Sequence, residues 1–170
     1  MTTVLVGYAT AHGSTRSIAR RVAVDLEERG VTADVQALDA VKSTDGYDAF
    51  VIGSAVHDMA WLPEALDFTR GHRDELTGRP LWIFSVGMVA ALRGPMKSIG
   101  PKEEQKVAGE LLEQLRPRGH RLFSGVIEPQ HLSRPGRMKM KAMGLRYGDY
   151  REWPVVDAWA EEIAGELVPS

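Results

Sequence analysis

Cysteine is absent from this 170-residue chain, which excludes disulfides, thiolate catalysis and Cys-ligated metals together. That absence suits a cytoplasmic address. An excess of charge of one sign is also missing. With 21 Lys+Arg against 23 Asp+Glu the formal charge is -2, which argues against a nucleic-acid binder and against an acidic carrier protein. No long apolar run occurs either. The longest, Leu81–Leu92, is interrupted by Ser85 and Gly87 and is too short to span a bilayer. The N-terminus, MTTVLVGYAT, reads directly as a strand without a basic stretch before it. Internal repeats and low-complexity segments are lacking too.

What is present has ordinary globular proportions, 44% hydrophobic and 26% charged, on a length that suits a single domain over residues 1–170. Thr3–Tyr8 is a short β-branched run. From Ser14 to about Arg29, apolar residues recur at Ile18, Val22 and Leu26, a helical spacing with Gly30 as a C-cap. Val31–Leu38 alternates as a second strand, and Phe50–Ser54 ends a third of the kind buried on both faces. Pro63 opens a helix to about Glu75, and Leu81–Val86 is a fourth strand. A Pro-started helix runs from Pro101 to about Leu115, and Arg121–Ile127 is a fifth strand. Pro154 starts a last helix with Val155, Val156, Trp159, Ile163 and Leu167 along one side. Strands alternating with helices predict right-handed βαβ units and a three-layer α/β sandwich around a doubly wound, five-stranded parallel sheet.

In such a sheet ligands bind beyond the C-terminal ends of the strands. The loop after the first strand, Thr10-Ala11-His12-Gly13-Ser14-Thr15, offers three hydroxyls, a glycine for close approach and the start of a helix. Free N–H groups and the positive end of the helix dipole there favour a dianionic phosphate without a lysine. The loop has neither the lysine of an ATPase phosphate loop nor the three glycines of a dinucleotide fingerprint. It reads either as a phosphate cradle or as a plain polar turn with a helix cap. Two more strand ends carry small residues, Ser54-Ala55-Val56-His57 and Ser85-Val86-Gly87-Met88. Each reads as a rim turn that approaches a flat ring, or as a strand terminator.

The stretch Tyr8–Thr15 resembles the flavodoxin phosphate loop, usually S/T-x-T-G-x-T, with His12 where a threonine is common. The order of elements is similar to the flavodoxin fold over nearly the whole chain, which implies the strand order 2-1-3-4-5. Within that superfamily the turn Val51–His57, the stretch Ser85–Ala90 and a late Met/Lys-rich insertion resemble the menaquinone-dependent protoporphyrinogen oxidases. The resemblance implies FMN or a related deazaflavin, its ring between residues 54–61 and 85–93. Trp61 then either touches the ring or anchors the core. His57 either serves the flavin or is a plain surface residue, and His12 contributes its backbone N–H.

Within the insertion, residues 128–151, the segment Arg134–Arg151 carries Arg134, Arg137, Lys139, Lys141, Arg146 and Arg151 against one acid, Asp149, with Met138, Met140 and Met143 interleaved. It reads as a solvated loop with gap-filling methionines, or as a surface for an acidic partner or peripheral membrane contact over 134–151. The expected activity is an FMN-dependent oxidoreductase passing electrons from a small-molecule substrate, a porphyrinogen by the resemblance, to a quinone or redox protein. The alternatives are an electron-carrier flavodoxin and a flavin-binding module that senses or scaffolds. No acid–base pair declares itself, so no catalytic residue is named.

Overall fold

In a computed structural model the chain is described over residues 1–87 and 100–169. The elements run β1 (Thr3–Ala9), α1 (Ser14–Glu28), β2 (Thr32–Ala37), β3 (Ala49–His57), β4 (Ala60–Trp61), α2 (Pro63–Gly71), α3 (Arg73–Thr77), β5 (Leu81–Gly87) and α4 (Gly100–Leu115). They continue with β6 (Gly119–Ser124), β7 (Val126–Ile127), α5 (Arg134–Ala142), β8 (Gly148–Asp149) and α6 (Trp153–Leu167). The parallel sheet has the order β2-β1-β3-β5-β6, the predicted doubly wound arrangement, with β4 an added antiparallel partner of β3.

The apolar runs read as continuous because successive residues serve opposite faces. Val4 and Val6, Val51, and Trp82 and Phe84 pack with Ile18, Val22 and Leu26 of α1 and Val156, Trp159 and Ile163 of α6. Leu5, Phe50, Ile52, Leu81 and Ile83 instead meet Ala65, Phe68 and Leu76 on one side of the same face and Leu111 and Leu115 on the other. Both layers are thus driven by burial of the strands themselves. On the first face Phe84, Phe123 and Trp159 form a three-ring cluster with centroids 5.5 to 6.0 Å apart.

Several predicted boundaries move. The third and fourth strands extend through the residues expected to be rim turns, because Ser54↔Ser85 and Ala55↔Val86 remain in register across the sheet. The turn falls instead at Asp58 and Met59, with φ of 49° and 62°, which fold β4 back on β3. The helix predicted to Glu75 breaks at His72, whose N–H closes α2 on the Phe68 carbonyl at 3.0 Å; α3 then restarts and buries Leu76. The last central strand starts two residues early, at Gly119, where a Cβ would sit 3.0 Å from Trp82. It ends at Ser124, and Val126–Ile127 pairs with β8 in a separate hairpin. Val155 is exposed, unlike the rest of its expected helix face.

The insertion is ordered around its own small core of Ile127, Met140 and Leu145, with Leu132, Met143 and Tyr150 packed against it. Ser133 caps α5 by accepting from the Gly136 N–H. Two of the three methionines are therefore gap-fillers, and Met138 alone of the three is well exposed, at 74%. Arg137 donates to the carbonyls of Pro129 and Leu132, and Arg151 is paired with Asp149. Arg134, Lys139, Lys141 and Arg146 are exposed and make no ion pair among the described residues. Among those residues no helix is long and apolar enough to cross a membrane.

Candidate functional site

Sheet register brings the loops of interest to one edge. Ala9 stands beside Ser54, Ser54 beside Ser85 and Ser85 beside Leu122, so the chain leaves β1, β3, β5 and β6 on the same rim. The segment after β6 is tied there by Gly125, whose N–H donates to the Gly87 carbonyl and whose carbonyl accepts from the Tyr150 N–H. Gly125 is a close-approach position: a Cβ would meet Ser14 Oγ at 2.9 Å and Val86 Cγ1 at 3.0 Å.

At the end of β1, Gly13 takes φ 97°, a left-handed conformation that favours glycine. Its N–H donates to Thr10 Oγ1 at 2.8 Å, and its carbonyl accepts the first helical bond, from the Ser17 N–H. No side chain caps α1 from the Gly13 position. The first-turn N–H groups are thus left for a ligand or solvent. Thr15 is fully buried, yet its Oγ1 has no hydrogen-bond partner among the described residues. An unsatisfied buried hydroxyl costs about 1–3 kcal/mol. A phosphate oxygen at the helix start fits both deficits.

A cavity of about 160 Å³ opens beside this loop, lined by Ala11, His12 and Ser14, by Ala55, Val56 and His57, and by Val86 and Gly87. The segment after β6 completes it with Gly125, Val126, Ile127, His131 and Leu132. A larger adjoining cavity, of about 570 Å³, shares His12, Ser14 and His131 and reaches Tyr147, Asp149 and Arg151. The His12 and His131 rings are stacked, with centroids 4.0 Å apart and planes 3° from parallel. Partial burial, then His131 and His57, hold His12 below the ordinary imidazole range.

The side chains of three expected ligand residues are engaged within the protein. Trp61 is 2% exposed and donates from Nε1 to Ser85 Oγ at 2.8 Å. Ser85 Oγ lies 3.2 Å from His120 Nε2, and burial, then Arg121, push His120 down to about 4. A neutral His120 ring can accept a hydrogen bond from the Ser85 hydroxyl at Nε2. Ser54 Oγ accepts from the Leu62 N–H and donates to the Ala55 carbonyl. These side chains fasten the β3–β4 hairpin to the sheet interior, so of the two readings Trp61 takes the core anchor. Met88 and the residues to 93 expected beside the ring lie outside the described residues.

The sequence reading missed the residues that the insertion sends back. His131 comes from a single turn of 3₁₀ helix, Pro129–His131, and Arg151 donates from Nη1 to Ser17 Oγ at 2.8 Å. Arg151 also forms a two-point pair with Asp149, which holds that carboxyl below its usual range, and lies 5.0 Å over the Trp153 ring. The one available signal was Gly125 among β-formers, the mark of a close backbone approach.

The model of the flavodoxin domain matches residues 5–151. Among characterised proteins, the protoporphyrinogen IX dehydrogenase (quinone) of Escherichia coli strain K12 is 26% identical over 171 residues, covering 94% of this chain and 93% of that protein. Among solved structures, a Fusobacterium nucleatum flavodoxin bound to flavin mononucleotide superposes with a TM-score of 0.60 at 13% identity, over 98% of this chain and 99% of that one. Rubredoxin oxygen:oxidoreductase from Desulfovibrio gigas gives a TM-score of 0.65 at 15% identity, over 98% of this chain, which spans 36% of that longer protein. At these identities the two superpositions establish the fold, and the matched domain establishes the family: this chain belongs to the flavodoxin domain family.

Proposed function

We propose that this chain binds FMN and acts as an oxidoreductase that takes electrons from a porphyrinogen-class substrate and delivers them to a quinone. The observation that carries the cofactor is the uncapped start of α1 beside the unpartnered, buried Thr15 hydroxyl. FMN, when bound, supplies the redox chemistry, and the protein supplies position and electrostatics. The first-turn N–H groups of α1, the Gly13 backbone and Thr15 Oγ1 hold the phosphate. Ala55, Val56, Val86 and Gly87 flank the rest of the molecule from the sheet edge, and Gly125 brings the insertion against the same cavity. The substrate class rests on the 26% identical relative, whose printed activity is that of a protoporphyrinogen IX dehydrogenase using a quinone.

A carrier reading has its own support in the likeness to the Fusobacterium flavodoxin. The two separate under anaerobic conditions. Purified protein carries, or takes up, about one flavin per chain, and a porphyrinogen bleaches its visible absorbance within seconds to minutes; a menaquinone analogue restores it. A carrier is bleached by a flavodoxin reductase and not by the porphyrinogen. Failure to bind either FMN or FAD at micromolar concentration overturns the cofactor assignment itself.

The exposed cations Arg134, Lys139, Lys141 and Arg146, with Met138 among them, give the insertion a face for the anionic surface in which a quinone resides. Each such cation is worth about 1 kcal/mol near an anionic bilayer. Changing Arg134, Lys139 and Lys141 to Glu therefore lowers partition onto phosphatidylglycerol vesicles on the order of a hundredfold or more at low salt. Wild-type binding itself fades as salt rises. Co-sedimentation checks this, and equal pelleting of the two proteins sinks it. Arg137 and Arg151 are left alone in that variant because they hold the insertion together.

A further inference from the structure

We propose that His12, His57 and His131 form a proton-linked clamp by which this site selects a phosphate-bearing flavin over riboflavin. The inference rests on the flavin reading and adds the source of its charge. Among the described residues lining the smaller cavity there is no lysine, arginine, aspartate or glutamate, and these histidines alone can acquire charge there. They arrive from separate parts of the chain: the loop before α1, the end of β3 and the turn Pro129–His131. The smaller cavity itself offers a dianion no fixed cation, and Arg151, which lines the larger cavity with Gly13 and Ser14, is already engaged by Asp149 and Ser17.

The geometry makes protonation of His12 beside His131 conditional on an anion. His12 and His131 lie face to face at 4.0 Å, a distance at which two imidazolium rings repel unless negative charge sits beside them. Carboxylates already stand near two of the three: Glu128 Oε2 is 3.4 Å from His131 Nε2, and Asp58 Oδ2 is 3.4 Å from His57 Nε2. Among the described residues His12 forms no ion pair with a carboxylate, and partial burial, then its neighbours His131 and His57, depress its basicity. On the side of the larger cavity, Arg151 and Asp149 neutralise one another. A bound phosphate reverses the sign of the field at His12 and raises its proton affinity. Binding then takes up a proton.

The sign of the pH dependence follows from linkage. Groups whose pKa rises on binding favour the complex fully below their free-state pKa, and the advantage is lost as pH rises through the bound-state pKa. The phosphate itself works the other way, since its second ionisation lies near about pH 6 and the dianion prevails above it. Hydroxyls and backbone N–H groups alone would give FMN an affinity that is flat or rising from about pH 6.5 to about pH 8.5. The clamp gives one that falls.

The experiment measures FMN and riboflavin dissociation constants by fluorescence quenching at both ends of that range. It compares the wild-type apoprotein with the double variant His12→Asn, His131→Asn. FMN affinity of the wild type drops about tenfold across the range, the effect of a proton uptake averaging about one half over two pH units, while riboflavin changes less than about twofold. In the double variant the FMN drop disappears. A wild-type FMN affinity that is flat or rises with pH overturns the clamp and leaves the flavin reading standing. Absence of FMN binding at either pH overturns the flavin reading. A second measurement does not depend on the variant folding: inorganic phosphate raises the NMR titration midpoints of the His12 and His131 rings in the wild-type apoprotein. Midpoints identical in phosphate and chloride overturn the clamp as well.

Discussion

Gly13→Val weakens FMN binding by two to three orders of magnitude and leaves riboflavin affinity within about tenfold of wild type. The reason is conformational. Gly13 sits at φ 97°, and nothing lies within 4 Å of the Cβ that a substitution would add. The space is open, but a β-branched residue does not accept that backbone, and forcing it there costs on the order of 1–2 kcal/mol. The cheaper response is for the loop to leave the left-handed region. That breaks the bond from the Gly13 N–H to Thr10 Oγ1 and misplaces the carbonyl that accepts from the Ser17 N–H. Loss of one or two hydrogen bonds to a charged phosphate, at about 1.5–3 kcal/mol each, sets the size of the effect. Thr15→Val gives a complementary result. It removes a hydroxyl that is buried without a partner. The flavin-free protein therefore gains up to about 1 kcal/mol of stability while FMN affinity falls. Titration of flavin fluorescence and thermal unfolding of the apoprotein check both variants. Equal losses for FMN and riboflavin in either one mean that the loop does not recognise phosphate.

The architecture was legible because helices of ordinary length separate apolar strands, and a parallel sheet buried on both faces needs such runs. The position of Thr10–Thr15 was legible because hydroxyls and a glycine between a strand and a helix mark the turn that opens α1, which stands beside a cavity at the sheet rim. The ends of β3 and β5 were misread for a physical reason. Ser54, Ser85 and Gly53 resemble turn residues by composition, yet they are small because large side chains of other segments occupy the space beside them. Trp61 fills one such position and bonds Ser85; Phe84 fills another. Composition cannot tell a turn from a strand whose neighbours are bulky. The break between α2 and α3 was hidden because helical spacing continues through His72 to Leu76, and tertiary burial of Leu76 decides the bend. His131 was invisible because its role depends on a ring met far away in sequence, His12. The basic insertion had two readings, and its residues divide between a packed and an exposed set. Met140 and Met143 fill a small core, while Met138 and four cations face outward.

Gly53→Ala destabilises the protein by about 3 kcal/mol, at the upper end of what overpacking a core ordinarily costs. An added Cβ at Gly53 would lie 2.1, 2.3 and 2.4 Å from Phe84 Cζ, Cε1 and Cε2, distances at which something must move. Phe84 is fully buried, and Phe123 and Trp159 pack against it at 6.0 and 5.8 Å, so its ring has no free direction. β3 cannot yield easily either, being hydrogen-bonded to β1 and β5 on its two sides. Outside this contact alanine is the better residue, since glycine in a strand interior costs roughly 0.5–1 kcal/mol relative to it. Steric crowding outweighs that gain. For a chain of this size the melting temperature falls by roughly 6–12 °C. Phe84→Leu shortens the offending ring and is itself destabilising, but in the double variant the two losses are less than additive by about 1 kcal/mol or more. Gly71→Ala, at the end of α2 with nothing within 4 Å of the added carbon, is the control and leaves stability within about 1 kcal/mol. Thermal and urea unfolding of the four variants and the wild type decide the matter. If Gly53→Ala melts with the wild type, the glycine is not a packing residue, and its place at the end of the buried run belongs instead to the ligand rim.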